Sequence, residues 1–382
     1  MKVAVLGGGP SGAYTAELLA TAGVDTTLFD EKLAWEKPCG GGLTWKAYTE
    51  YPFLADSPAA RKTVTETVIS APGTAPVRFP LDRPLLIYSR RELNGMMLDR
   101  ASSAGAAIEQ TRVLGVDRTS RGWLVRTKQG IAEADFCVVA LGARNNLRHF
   151  GTALTAADTM SALGYYVPGE RERIDIVFLE ALDGYIWVFP RCGHMSVGIC
   201  GKGESAATLR SRLDRYMDQH ALPRDGATFY SHLLPAISEA AWTTNTIAGD
   251  GWVAVGDAAG LVDPITGEGI YYAIRSADIA ARTILSAPPA ATADAYATTI
   301  RADFGDDLAY ASHLSARLFH GSLLGGPVPT RMVQLTRRSP AFRQIVCDLF
   351  SGTQPYLGLK RRLNGSLART IAEAAASMIR AN

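Results

Sequence analysis

Apolar positions recur along this chain with two periods, and the stretches where each period holds predict its elements. An apolar run at residues 2–6, a helix-forming segment at 13–22 and a second run at 26–29 give strand, helix and strand. Short strands separated by Pro and Gly are predicted at 64–69, 77–79 and 85–88, then a helix from about 89 to 104. Strands follow at 113–116, 123–126 and 136–140. Residues 174–179, 185–190 and 195–200 read as an antiparallel meander with turns at Asp183-Gly184 and Cys192-Gly193. Period-two alternation there puts Tyr185, Trp187 and Phe189 on one face, with Ile186 and Val188 on the other. Later, an apolar run at 252–255 ends in Gly256-Asp257, and Ile270, Ala273, Ile274 and Ala277 mark a helix. Residues 286–295 read as a Pro/Ala-rich linker. Beyond it the pattern is helical, broken at 325–329 and around 352–358. In the last helix, 366–380, Leu367, Ile371, Ala374 and Met378 form a stripe expected to pack into the core.

A length of 382 residues supports two or three domains with a full core, and 47% hydrophobic with 20% charged residues excludes a disordered chain. No apolar run reaches the roughly 18 residues that span a bilayer, and the N-terminus enters a strand directly, unlike a signal peptide. Cys39, Cys137, Cys192, Cys200 and Cys347 are scattered and odd in number, which suits a reducing, cytoplasmic setting. Net charge is +2 but uneven: residues 311–382 hold ten Lys/Arg against two Asp/Glu. Such a segment either forms a solvated face or meets anionic lipid or a phosphate-bearing substrate. No nucleic-acid partner is expected.

The chemistry starts in the N-terminal turn. Gly7 permits a tight turn, Gly9 lets backbone approach a pyrophosphate, and Gly12 lets the helix pack close to the strand. Asp30, 23 residues after Gly7, stands where a carboxylate accepts from a ribose hydroxyl. Strand, glycines, helix, strand and acid in register predict a dinucleotide site, without choosing FAD or NAD. Residues 251–277 offer a second grip: one carboxylate, Asp257, then a helix start opened by Gly267 and Gly269, whose N–H groups suit an anionic or electron-rich ligand. Cys39 followed by Gly40, Gly41 and Gly42 either marks close backbone approach, with a thiol beside unhindered N–H groups, or forms a flexible turn with a buried, inert Cys. Arg90 opens a helix, where a cation opposes the dipole unless it has an anionic partner, so it is a phosphate-contact candidate. The row Tyr185, Trp187, Phe189 serves either as core or as the wall of an apolar pocket. Gly201-Lys202-Gly203 mimics a second dinucleotide loop but belongs to the meander, and Cys192, His194 and Cys200 lack paired zinc spacing, so no metal is expected.

Taken together, GGGPSG with Asp30, KPCGGGLT, SRREL, YIWVFP and GDAAGLVDPITGEGI resemble the motifs of geranylgeranyl reductases, in the same order. These belong to the flavoprotein superfamily that also holds the para-hydroxybenzoate hydroxylase type. The resemblance covers about residues 1–285. It implies bound FAD, with Gly7, Gly9, Ser11 and Gly12 at the pyrophosphate, Asp30 at the ribose and Arg90 on the phosphate side. Asp257 would hold the ribityl chain, with Gly267, Glu268 and Gly269 beneath the isoalloxazine; Val113 and Gly40–Gly42 complete the implied cofactor contacts. Cys39 would lie near the reactive edge, and Tyr185, Trp187 and Phe189 would line an isoprenoid tunnel. Cys39, Tyr185 and Trp187 are the implied catalytic residues, with Cys39, Tyr185 or water as candidates to supply the proton. The implied reaction adds hydride from reduced flavin to an unactivated C=C, with NAD(P)H or a ferredoxin-like protein as electron donor. Two departures stand out: Leu141-Gly142 replaces the Asp-Gly step of hydroxylases, and position 94 is Asn where many relatives have Asp, a change expected to matter little.

The expected architecture is α/β. A discontinuous Rossmann-like FAD-binding domain (1–63, 86–155, 242–285) carries an antiparallel β-sheet substrate domain (64–85, 156–241) and a C-terminal helical region (286–382). The expected function is reduction of an isoprenoid chain in lipid metabolism, by a cytoplasmic enzyme with peripheral membrane contact through its basic C-terminal region. The competing readings are a flavin monooxygenase or halogenase, against which Tyr185 stands where halogenases have a second Trp, and a flavin redox carrier without a small-molecule substrate.

Overall fold

The computed structural model describes residues 1–147 and 149–380, the last three by backbone alone. The chain forms two compact units, each assembled from three segments. Met1–Lys37, Arg90–Thr159 and Leu233–Ala309 make the first; Pro38–Ser89, Met160–His232 and Tyr310–Asn382 make the second.

The first unit is built on a six-stranded sheet in the order Ala248–Gly249, Trp252–Ala254, Phe136–Val139, Lys2–Leu6, Asp25–Phe29, Ala107–Glu109. All its pairings are parallel except the outermost, between the first two of these strands. Val3, Ala4, Val5 and Leu6 are all buried, as a central parallel strand covered on both faces requires. Helices Pro10–Thr21, Arg90–Ser103 and Ile270–Ser286 flank this sheet, and a three-stranded antiparallel sheet, Val113–Thr119, Gly122–Thr127 and Ile131–Ala134, is added to it.

The second unit carries an eight-stranded sheet. Asp183–Pro190 lies between Ile174–Phe178 and His194–Lys202, antiparallel to both, and Thr159–Pro168 follows beyond His194–Lys202. Arg61–Ser70 joins Ile174–Phe178 in parallel, a departure from the expected antiparallel arrangement. Ile186 and Val188 point into a core shared with Val197, Ile199 and Leu209, Leu213 and Met217 of the helix Ala206–Gln219. The expected α/β architecture is therefore present, with the C-terminal helices Val328–Arg338, Pro340–Phe350 and Tyr356–Arg380.

Several expected elements change. The strands at 77–79 and 85–88 are one strand, Val77–Tyr88, with Pro80 and Pro84 inside it. Gly42–Leu43 pairs with only Ile87 and Leu86 on its outer side, leaving an edge where proline is tolerated. Asp183 and Gly184 are paired strand residues and not a turn. Thr159–Pro168 is a further strand, outside those the sequence pattern predicts; at its Gly164 a Cβ would meet the Val197 carbonyl oxygen at 2.3 Å. Most of the linker at 286–295 is structured, since a helix starts at Thr292 and continues through a π-turn, Arg301–Gly305, into Asp306–His320. The last helix begins ten residues early, at Tyr356. Of its expected core stripe, Leu367 and Ile371 face outward, 54% and 58% exposed, whereas Ala374 is buried as expected, together with Thr370; Met378 lies outside the described side chains. The compact units also place residues 38–63 with the second sheet and 286–309 with the first, unlike the ranges drawn from sequence.

Candidate functional site

In the first unit, sterics separate the three fingerprint glycines. A Cβ on Gly7, at φ +115°, would fall 2.3 Å from the Ala140 carbonyl oxygen, and one on Gly12 would fall 1.8 Å from that of Gly7. Both positions are glycine because the chain packs on itself. Gly9 is different: nothing lies within 4 Å of its missing Cβ, and it caps the helix Pro10–Thr21, so its surroundings are open to a ligand at a helix N-terminus. Asp30 is fixed from two sides. Its Oδ2 accepts from the Gly8 N–H at 2.7 Å, and its Oδ1 from the N–H groups of Lys32 and Leu33, each at 2.7 Å. Oδ2 keeps a lone pair for a further donor such as a ribose hydroxyl. Ser11 is buried and faces Gly256, whose Cβ would come within 2.9 Å of its Oγ.

The same unit holds residues 251–277. Trp252–Ala254 runs parallel to Phe136–Val139, and the Gly256 N–H donates to Ser276 Oγ at 3.0 Å, tying the turn to the helix that follows. Asp257 forms an ion pair with Lys37 at 3.1 Å. Asp263, buried, accepts from the N–H groups of Ile265 (2.8 Å) and Thr266 (3.1 Å) and donates its own N–H to the Glu268 carbonyl. These bonds shape the loop that delivers Gly267, Glu268 and Gly269 to the start of Ile270–Ser286. Gly269 caps that helix, and its Cβ position is 3.3 Å from Asp257 Oδ1. Tyr272, one turn in, packs on Phe304, and burial, followed by the charge of Asp263, pushes its phenol well above the ordinary value.

Arg90 has partners within the chain. The dipole at its helix start is met by the chain's own Glu36, which accepts from the N–H groups of Arg90 (2.9 Å) and Arg91 (3.3 Å). The Arg90 side chain is 4% exposed and donates to Asn94 Oδ1 through Nε (3.3 Å) and Nη2 (3.2 Å). An external phosphate is therefore not required to explain an Arg at this place, and position 94, expected to matter little, is its partner. The amide leaves the guanidinium charge un-neutralised by that contact, whereas an Asp would cancel it. Val113 is buried, its carbonyl accepting from Asn146 at 3.2 Å. Sequence reasoning missed Glu36, Lys37, Asp263 and Ser276; the Asp-Pro step at 263 and the lysine before the Cys-Gly-Gly-Gly run were the available signals.

In the second unit the glycine run packs on protein. A Cβ on Gly40 or Gly42 would strike the Phe189 ring, at 2.8 and 3.1 Å, and one on Gly41, at φ +81°, would lie 2.0 Å from the Tyr88 carbonyl oxygen. The close approach expected here is thus made to Phe189 and Tyr88, and Phe189 is covered by the loop. The Gly41 N–H donates to Cys39 Sγ at 3.3 Å, while the Cys39 carbonyl accepts from Ser196 Oγ at 3.0 Å and from Arg191 Nη2. Beyond Phe189 the row continues through Trp187 to Tyr185, ring centroids 6.3 Å apart, on the face opposite Ile186 and Val188. Gly198 leaves room for the Trp187 indole.

The other motifs separate from these clusters. Gly201 and Lys202 end an antiparallel strand. Burial pushes the Cys137 and Cys200 thiols up to about 12, making them inert. Among the described residues no His/Cys/Asp/Glu group is arranged to hold a metal ion, and no helix is long and apolar enough to cross a membrane.

Residues 1–47 match an FAD binding domain family. The chain is 27% identical over 323 residues, 75% of each protein, to the geranylgeranyl diphosphate reductase of Synechocystis sp.. It is also 27% identical over 366 residues to the menaquinone reductase of Mycolicibacterium smegmatis, covering 87% of this chain and 88% of that one. A geranylgeranyl bacteriochlorophyll reductase-like protein of Thermoplasma acidophilum shares the fold, with a TM-score of 0.79 at 23% identity, covering 95% and 98% of the two chains. The cofactor is FAD, and the similarity to a geranylgeranyl diphosphate reductase extends well beyond the motifs.

Proposed function

We propose that this protein is an FAD-dependent oxidoreductase that saturates C=C bonds of an isoprenoid chain carried on a lipid, quinone or pigment head group. The observation that carries this reading is the aromatic row Tyr185–Trp187 ending at the Cys39 loop, in a chain similar to a geranylgeranyl diphosphate reductase over three quarters of both. Polar oxidoreductase substrates need several convergent donors; an unactivated alkene needs an apolar wall that orients it and excludes water.

The residues of the first unit fit FAD. The open space at Gly9, the carboxylate of Asp30, the Asp257–Lys37 pair and the capped start of Ile270–Ser286 are each suited to one part of the cofactor. When bound and reduced, FAD supplies the hydride. We assign the remaining roles to the second unit. Tyr185 and Trp187 hold the isoprenoid chain, and Cys39 or Tyr185 supplies the proton to the second carbon. The electron donor is NAD(P)H or a ferredoxin-like protein. Leu357, Leu367 and Ile371 lie exposed on one face of Tyr356–Arg380 with Lys360 and Arg361, and we assign this face to anionic lipid, where such substrates reside.

The test is anaerobic turnover of the dithionite-reduced protein with geranylgeranyl diphosphate and a menaquinone, followed by product mass spectrometry. A gain of two hydrogens per bond is expected. Flavin that stays reduced with every polyprenyl substrate would overturn the reading, and substrate-stimulated NADPH and oxygen consumption would replace it with a monooxygenase.

A further inference from the structure

We infer that Ser196 is a positioning residue that joins the aromatic row to the Cys39 loop through a single hydroxyl, with Tyr230 and Arg191 as its supports. All of these residues lie in the second unit. Ser196 is fully buried, and three groups meet at its Oγ: the Cys39 carbonyl at 3.0 Å, the Tyr230 hydroxyl at 2.9 Å and the Trp187 Nε1 at 3.2 Å. The proton directions follow from what each partner can do. A carbonyl only accepts and an indole N–H only donates, so the one Ser196 proton goes to Cys39 and Tyr230 must donate its own. The hydroxyl is then saturated, with one bond given and two received.

Two further features hold this junction in place. Arg191, fully buried, donates through Nη2 to the same Cys39 carbonyl, and its guanidinium lies 5.3 Å from the centroid of Tyr166. Tyr166 in turn packs against Tyr230, ring centroids 4.5 Å apart and planes tilted by 37°. A loop that starts Cys-Gly-Gly-Gly has little side-chain packing of its own to fix it, so the two bonds to the Cys39 carbonyl set where the thiol sits. Because Trp187 shares that hydroxyl, a chain lying against the indole and the position of the thiol are coupled. The role in turnover rests on the reading proposed above; the role in holding the loop does not.

The experiment uses the FAD-loaded protein and iodoacetamide, with each cysteine followed by peptide mass spectrometry. Cys192 is exposed and serves as the reference within the same molecule. Ser196→Ala is expected to raise the Cys39-to-Cys192 alkylation ratio by roughly fivefold, the effect of losing one buried hydrogen bond. Ser196→Thr, which keeps the hydroxyl, restores the ratio. Tyr230→Phe, which keeps the Ser196–Cys39 bond and removes one donor to Oγ, gives a smaller rise. An unchanged ratio in a folded Ser196→Ala protein overturns the inference; if that variant does not fold, an unchanged ratio in Tyr230→Phe does so. In turnover, Ser196→Ala should lower kcat more than it raises KM. Absence of prenyl reduction would sink the proposed function while leaving the alkylation result readable.

Discussion

Gly9 and Gly12 stand three positions apart in the same turn, and a methyl group would meet opposite surroundings at each. At Gly12 it would sit 1.8 Å from a backbone oxygen, so Gly12→Ala should fail to fold or lose several kcal/mol, as overpacking at backbone does. At Gly9 it would meet no protein atom. Gly9→Ala should therefore melt within about 0.5 kcal/mol of the parent protein without FAD, yet bind FAD more weakly. Thermal melts with and without FAD separate the two. Tyr230 offers a pH test. Burial raises its pKa above the ordinary 10, with Ser196 and Arg191 opposing and the charge of Cys39 assisting. A phenol held neutral in the folded state contributes stability that is fully present below pH 10 and is lost as pH rises beyond it. Denaturant melts at pH 8 and pH 10.5 should show a smaller loss for Tyr230→Phe than for the parent. An equal loss in both would show that the buried phenol does not contribute.

At the scale of elements, the helix Tyr356–Arg380 is the informative case. Its sequence has the apolar spacing of a packed helix, yet Leu357, Leu367 and Ile371 are exposed, and the buried side is marked by Thr370 and Ala374. The acid on this helix, Glu373, is occupied by Ser339, Ala341 and Arg369, which leaves Lys360 and Arg361 as the charge of the outer face. Leu367→Ser with Ile371→Ser should change stability by less than about 0.5 kcal/mol, because little area is lost from the core. The same pair should reduce co-sedimentation with phosphatidylglycerol vesicles, while leaving phosphatidylcholine binding at background. Loss of stability instead would return the stripe to the core. The loop 263–269 shows the converse. The Asp-Pro step at 263 signals a turn and no more, but the Asp263 carboxylate holds two backbone N–H groups that prepare the helix start beside Asp257.

For the whole molecule, two compact units are each made of three chain segments. On the proposal that the first unit holds FAD, the cofactor should stabilise the protein by about 2.7 kcal/mol at a free concentration 100 times the Kd. Hydrogen exchange should slow on FAD addition at residues 7–12, 30–33 and 256–270, and much less within the core of Ile186, Val188, Leu209 and Leu213. Uniform slowing across both units would argue against an FAD site confined to those first-unit segments.

Local patterns settled much of this protein from the chain alone. The strand, glycine turn, helix and Asp30 were legible because their spacing is imposed by one short unit of backbone, and the alternation of Tyr185, Ile186, Trp187, Val188 and Phe189 because a strand has period two. The dinucleotide fingerprint and the aromatic row needed nothing distant. What only the tertiary structure decided are pairings across long sequence separations. Lys37 meets Asp257 220 residues away, Glu36 meets the start of a helix 54 residues on, and Ser196 meets Cys39 157 residues away. No period or propensity encodes such contacts. A buried polar group must find a partner somewhere, and which partner it finds depends on which segments the fold brings together.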